Sequence, residues 1–276
     1  MDVLSSFLVL TIAGAVFAII VRLALPRLLA RRGVWFRWHT RFGPALVFDS
    51  EDEDGTTVRL LNVNGTYQSV CYVDDDLLWV PVCEYHRTWA KAVRRRFGAP
   101  GETPSQADCI ARRALVMGGG GYSFPKWLVA YRPDFSCEAV EIDPAIEGIA
   151  REQFFVDRLV DEFDTEHSRR LVLTVADAWD RLLADEEGFD LIINDAFGGN
   201  RPLGRLSTDE GARHIRAHLH EGGLYIGNVR TPLEGRRAEP LRDAVRAFEA
   251  EFEHVQVIPE RPEDPRKKGN NALIAW

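Results

Sequence analysis

At 276 residues, 46% hydrophobic and 28% charged, with 22 glycines and 14 prolines, the chain has the makeup of one large or two small globular domains. Collagen-like, disulfide-scaffold and wholly disordered architectures are excluded. The formal net charge of −8 is unevenly placed: residues 1–41 hold six arginines against Asp2 alone, a net of +5, which leaves −13 on the remainder. A body this acidic repels phosphate backbones and excludes nonspecific nucleic-acid binding. It would draw in a cationic small molecule, or serve solubility alone. Cys71, Cys83, Cys109 and Cys137 form no C-x-x-C pair, which leaves out local zinc and dithiol motifs and suits a reducing compartment.

From Val3 to Val21 the sequence carries no charge and only Ser5, Ser6 and Thr11 as polar side chains, close to the ~20 residues a helix needs to cross a bilayer. Asp2 stands where a secretory signal has its basic residues, and no A-x-A cleavage site follows, so a retained transmembrane anchor is expected. All the flanking arginines follow the span, which predicts an amino end outside and a cytoplasmic body. Trp35, Phe36 and Trp38 then form an aromatic belt at the headgroups, or a linker packed on the body.

Residues 44–49 and 57–63 are short apolar or alternating runs, and Asn64-Gly65 is a tight-turn signal into 66–73. A small antiparallel sheet of three or more strands is predicted there. From about Val80 to Phe97 the pattern is helical, ending in Arg94, Arg95 and Arg96 before Gly98. The stretch 98–106 reads as a linker. Beyond it, apolar runs at 114–117, 138–142, 171–175, 189–194, 223–228, 254–258 and 272–276 alternate mostly with segments of helical length, the pattern of a largely parallel seven-stranded sheet covered on both faces. Pro144 after Asp143 marks one helix start, with Asp143 as its cap. Ser207 with Glu210 reads as a capping box before a helix that Gly222-Gly223 ends. The last two strands form a hairpin. The expected division is 1–32 (anchor and basic flank), 33–106 (β-segment and connecting helix) and 107–276 (an α/β nucleoside-binding domain).

The run Gly118-Gly119-Gly120-Gly121 follows the first strand of that sheet, where backbone N–H groups can approach a ligand with no Cβ in the way. Glu141 ends the second strand, where an acid takes ribose hydroxyls in nucleotide-binding α/β units. Asp177 follows the third strand, within reach of an adenine amino group or as a helix cap, and Asp195 ends the fourth. Four such features at successive strand ends line one crevice. The run reads GGGGYS rather than G-x-G-x-x-G, which weakens a dinucleotide reading in favour of an adenosyl sulfonium compound without phosphates.

ALVMGGGGYSFPKWL, AVEIDPAIEGIAREQF, VADAWDRL and FDLIINDAF, in that order, resemble the spermidine synthase family of polyamine aminopropyltransferases, in particular its less characterised spermidine-synthase-like branch. RLLNVNGTYQSVCYVDDD and EYHRTW extend the resemblance upstream, to about residue 44. The resemblance implies a Rossmann-like, methyltransferase-type sheet and a homodimer. It implies donor contacts from Gly118 to Gly121, Glu141, Asp143, Asp177 and Ala178. Asp195 would face the transferred group and the amine acceptor, with Gln68 and Tyr85 on the acceptor side; Tyr122 lines the pocket or packs. The co-substrate would be decarboxylated S-adenosylmethionine or S-adenosylmethionine, without a metal. The physical case for Asp195 is separate: an alkylammonium of pKa ~10.4 has a free lone pair in only about one molecule in ~10³ at neutral pH, and a carboxylate can bind the cation and take its proton.

Two departures stand out. The family's aspartate after three glycines is Gly121 here, and its second acceptor-side acid is missing from Asp195-Ala196-Phe197-Gly198-Gly199. S-adenosylmethionine-dependent methyl transfer and a catalytically degenerate, membrane-anchored nucleoside-binding protein therefore remain alternatives. His214, His218 and His220 lack the partners of a metal motif and are expected at the surface, and neither a G-x-S-x-G elbow nor a P-loop is present.

Overall fold

The computed structural model describes residues 3–98, 112–197 and 204–276. The linker stretch 99–106, Cys109 and the Gly198-Gly199 pair lie outside the described residues.

Helix α1 (Val3–Ala30) comes first. At ~1.5 Å per residue it is longer than the ~30 Å of hydrocarbon in a bilayer. Its segment Thr11–Ala30 is apolar and unburied, so one helix near the amino end is long and apolar enough to cross a membrane. Four strands follow, β1 (Trp35–Thr40), β2 (Gly43–Glu51), β3 (Thr57–Val63) and β4 (Thr66–Tyr72), in an antiparallel meander of that order. Asn64 and Gly65, with φ of 50° and 80°, make the tight β3–β4 turn. The aromatic trio lies in or at the start of edge strand β1, Phe36 against Leu46 of β2, and Trp38 Nε1 donates to the Arg22 carbonyl of α1 at 3.2 Å. Backbone pairing thus places these residues in the small sheet, with Trp35 packed against the core and Trp38 against the end of α1.

Helix α2 (Glu84–Phe97) starts four residues later than the sequence pattern suggests. Pro81 stands in the intervening segment, and Val80 is still in a turn whose N–H reaches Leu77. Its buried face carries His86, Trp89, Ala90 and Val93.

The second sheet has seven strands, ordered β10-β11-β9-β8-β5-β6-β7. Strands β5 (Arg112–Met117), β6 (Phe135–Glu141), β7 (Leu171–Val175), β8 (Phe189–Asn194) and β9 (Leu219–Thr231) run parallel; β10 (Val255–Ile258) and β11 (Gly269–Ala275) form the closing antiparallel hairpin. Helices α3 (Ser123–Tyr131), α4 (Pro144–Gln153), α5 (Val156–Glu162), α6 (Thr165–Ser168), α7 (Ala178–Leu183), α8 (Asp209–Ala217) and α9 (Glu239–Glu249) fill the connections. Separate apolar clusters cover the two faces: α2, α3, α4 and the small sheet pack on one, α7, α8 and α9 on the other. The architecture is a Rossmann-like seven-stranded sheet preceded by a small antiparallel sheet.

The start of α8 differs from the sequence reading by one residue. Thr208, not Ser207, is the cap: its Oγ1 accepts from Gly211 N at 3.2 Å, while Ser207 ends a 3-10 turn over Gly204–Ser207. Nor do Gly222 and Gly223 end that helix. It stops at Ala217, and both glycines lie inside β9, where a Cβ on Gly223 would meet the Asp190 carbonyl at 3.0 Å.

Candidate active site

Parallel pairing places the chemistry on one edge. Met117 is in register with Val140 of β6 and Asn194 of β8, and Glu141 with Val175 of β7. The residues that follow each strand therefore emerge side by side at the carboxyl end of the sheet, where open α/β sheets bind ligands. A cleft of about 650 Å³ opens there, walled by β4 on one side and the amino end of α2 on the other. Gly118, Gly119, Gly120, Glu141, Asp177, Ala178, Asp195, Gln68 and Tyr85 all line it.

The glycine loop is shaped by close approaches. Gly118 has φ +100°, and a Cβ there would lie 2.6 Å from the Asp195 carbonyl oxygen. The main chain before Asp195 is in turn pinned by Asp195 N donating to the Met117 carbonyl at 2.8 Å. Glu141 holds the next turn: its Oε2 accepts from Gly119 N at 3.1 Å and Gly120 N at 3.0 Å, and its Oε1 from Asp143 N at 3.0 Å. Burial pushes this carboxyl above its usual range, while the three N–H donors pull the other way. A carboxylate offers about four acceptor positions, so about one remains for a ligand hydroxyl.

Three expected site residues are not at the cleft surface. Asp143 is 2% exposed; its Oδ1 accepts from Ala145 N at 2.9 Å as the cap of α4, and its Oδ2 accepts from Arg41 N at the β1–β2 turn. Both oxygens serve the fold. Tyr122 is fully buried beneath the loop in a left-handed conformation, against Gly119, and burial raises its phenol well above the usual range. Of the two readings for Tyr122, packing is the one the structure displays. Gly121 is also buried. A Cβ there would lie 2.5 Å from Ser69 Oγ and 2.7 Å from the Phe154 ring, so no acidic side chain fits at this position.

Asp177 caps α7 through Oδ1, which accepts from Trp179 N at 2.8 Å, and its Oδ2 takes no hydrogen bond from the described residues. It can therefore cap and still face a ligand. Asp195 accepts from Asn228 Nδ2 at 2.8 Å through Oδ1, and its Oδ2 lies 3.5 Å from His86 Nε2. Asn228, 1% exposed on β9, is within 3.5 Å of Asn270 Oδ1 on β11. Sequence reasoning missed His86, Asn228 and Asn270. Of these, Asn228 alone left a signal, a polar residue in the apolar run GLYIGNV.

Tyr85, His86, Trp89 and Phe124 form one wall, with Tyr85–Trp89 and Trp89–Phe124 centroids 5.0 and 5.4 Å apart in edge-to-face geometry. Aromatic faces beside a carboxylate favour an organic cation. Burial, with the nearby Asp195 charge, raises the Tyr85 phenol well above its usual range and pushes the Cys83 thiol up to about 12. Both stay protonated at neutral pH, which removes Cys83 as a nucleophile.

No family model matches the chain. A polyamine aminopropyltransferase of Neisseria meningitidis serogroup A is 26% identical over 121 residues, 44% of this chain and 43% of that protein. A probable polyamine aminopropyl transferase of Bifidobacterium longum is 30% identical over 144 residues, 51% of this chain and 30% of its own length. The aligned stretch thus spans less than half of these relatives. Among solved structures, a probable spermidine synthase from Corynebacterium glutamicum superposes with a TM-score of 0.67 at 22% identity, covering 88% of this chain and 79% of that one. Spermidine synthase from Thermotoga maritima gives 0.61 at 16%, over 88% and 72%. Sequence relatives and shared fold agree with the order of the four strand-end motifs: over about half its length the chain is similar in sequence to polyamine aminopropyltransferases, and it shares the fold of spermidine synthase structures.

Proposed function

We propose that the chain transfers an aminopropyl group from decarboxylated S-adenosylmethionine to the nitrogen of a small amine, with Asp195 as the base. The observation that carries this reading is the position of Asp195: a carboxylate anchored by Asn228, in the same cleft as the Glu141-held glycine loop and an aromatic wall. The names of the sequence relatives support it.

On this reading Gly118 to Gly120 give the donor close access, Glu141 takes a ribose hydroxyl at its free acceptor position, and Asp177 and Ala178 border the adenine. Tyr85, Trp89 and Phe124 surround the sulfonium. Asp195 binds the acceptor as an ammonium, takes its proton, and aims the freed lone pair at the carbon next to sulfur. The new C–N bond forms as the C–S bond breaks, the pair leaves with sulfur as the neutral thioether methylthioadenosine, and Asp195 returns the proton to water. Alignment and water exclusion supply the rest.

Incubation with labelled decarboxylated donor plus putrescine or spermidine tests the reaction. Labelled product supports it, and methyl transfer from S-adenosylmethionine with no aminopropyl product overturns it. Glu141→Ala should weaken methylthioadenosine binding by about 10–100-fold in calorimetry, because the loop N–H groups lose a charged acceptor. Unchanged affinity would remove Glu141 from the donor site.

We further infer that α1 anchors the protein in a membrane, with the cleft on the side of the arginine-rich flank. Deleting residues 3–21 should move the protein from the membrane pellet to the soluble fraction. Unchanged pelleting counts against the anchor.

A further inference from the structure

Beyond Asp195 the cleft turns from negative to positive. Asn228 and Arg230 stand two apart on β9, and Asn270 of β11 is in register with Arg230. Side chains two apart on a strand share a face and lie roughly 7 Å from one another along it. Asn228, Arg230, Asn270 and Lys268, the residue before β11, all line the cleft. Arg230 and Lys268 are exposed there, and neither has a carboxylate within ion-pair distance among the described residues.

The neighbouring charges leave this pair available. Arg205 stacks on Trp179 at 4.3 Å and reaches Glu210 at 3.5 Å, and Arg41 stands at the β1–β2 turn, its N–H on Asp143, toward Glu141. Glu260, just past β10, is not part of the cleft lining. Its oxygens accept from Asn270 N at 2.8 Å and from Asn270 Nδ2 at 3.2 Å, and Arg261 Nε lies 4.0 Å away.

The negative end is short. Asp195 accepts from Asn228 Nδ2 at 2.8 Å, and Asn228 Oδ1 is buried with no donor among the described residues. A buried acceptor without a donor is costly until something supplies one, and an ammonium has three donors and no acceptor. Ala196 and Phe197, which follow Asp195 on the lining, are neutral. One ammonium is therefore satisfied at Asp195 and Asn228, whereas a second cation further along β9 would meet Arg230 and Lys268. A carboxylate or phosphate there would instead gain charge-assisted hydrogen bonds.

We propose that the acceptor is a primary amine carrying an anionic group about 5–7 Å from its nitrogen, the amine seated at Asp195 and the anion at Arg230 and Lys268. ω-Amino acids and aminoalkyl phosphates have this form. The assignment deepens the aminopropyl-transfer reading and rests on it only for which nitrogen reacts, because the choice of acceptor is a property of binding.

Titration calorimetry on full-length protein saturated with methylthioadenosine compares four amines of similar length: n-butylamine, putrescine, 4-aminobutyrate and 3-aminopropylphosphonate. 4-Aminobutyrate or the phosphonate should bind about tenfold more tightly than n-butylamine, and putrescine no more tightly than n-butylamine. The tighter of the two anionic amines gives the class, carboxylate or phosphate. In the double variant Arg230→Gln with Lys268→Gln the preference should fall to near one, with n-butylamine affinity within about threefold and the melting temperature retained, since both side chains are exposed. Arg230→Lys keeps the charge and should keep most of the preference. Putrescine as the tightest ligand, a preference that survives the double variant, or a variant that weakens all four amines alike overturns the assignment. If the anionic amine is preferred yet labelled decarboxylated donor gives no aminopropyl product on it, the transfer reading fails and the acceptor assignment stands.

Discussion

Asp195→Asn is expected to lower kcat for amine alkylation by about 10³-fold while methylthioadenosine affinity stays within about threefold. The substitution changes charge and proton affinity but little else. An asparagine keeps an oxygen for the Asn228 Nδ2 hydrogen bond, now 2.8 Å long, and the main chain stays pinned at Met117. The donor side, built on Glu141 and the glycine loop, does not depend on the Asp195 carboxylate. What is lost is the group that converts an ammonium of pKa ~10.4 into a nucleophile near neutrality. The variant's rate should therefore keep climbing about tenfold per pH unit toward the amine pKa, as solvent does the deprotonation, whereas the wild type should level off earlier. Activity within tenfold of wild type at pH 7 would refute the base role.

How much of this site was legible depended on whether its residues lie next to one another in a strand-to-loop pattern. Gly118, Glu141, Asp177 and Asp195 each follow an apolar run, and parallel strands bring such positions together by geometry alone. The groups around Asp195 obey no such rule. Asn228 sits inside β9, Asn270 inside β11 and Glu260 beyond β10, and they meet because β11 inserts between β9 and β10. Sequence pattern finds the hairpin but not which of its side chains face Asp195. His86 was hidden differently: helix periodicity marks it as part of a buried face, and only the packing of α2 on the cleft brings its Nε2 to 3.5 Å from Asp195.

Local signals also competed with tertiary ones. Asp143 before Pro144 is a helix cap by sequence and a donor ligand by family resemblance; the fold uses both of its oxygens structurally, one on α4 and one on the β1–β2 turn. The missing acid at position 121 likewise has a steric account. The small sheet brings Ser69 onto the loop, and Ser69 Oγ and the Phe154 ring occupy the volume a side chain would need. The amino-terminal sheet thus helps define the floor of the glycine loop, and a change in either partner alone would leave a clash or a void.

Within the glycine loop, the most damaging single methyl group should be the one added in Gly118→Ala. At φ +100° an alanine is strained by about 1–3 kcal/mol wherever it stands. Here the Cβ would also lie 2.6 Å from the Asp195 carbonyl oxygen, 2.7 Å from its carbon and 2.9 Å from Ala196 N. These are backbone atoms of the neighbouring parallel strand end, so no rotamer change relieves the contact, and overpacking adds roughly another 1–3 kcal/mol. Gly120→Ala is the control within the same loop. Its φ is +53°, but the nearest atom to its Cβ is the Gln68 carbonyl oxygen at 3.6 Å, an ordinary contact, so conformational strain alone applies. Chemical denaturation should show the larger loss for Gly118→Ala, by about 1–3 kcal/mol over Gly120→Ala. Because relief requires the Asp195 backbone to retreat from the loop, Gly118→Ala should also lose alkylation in whatever fraction remains folded. Equal stabilities for the two variants would show that β5 and β8 do not converge on Gly118 as tightly as this geometry requires.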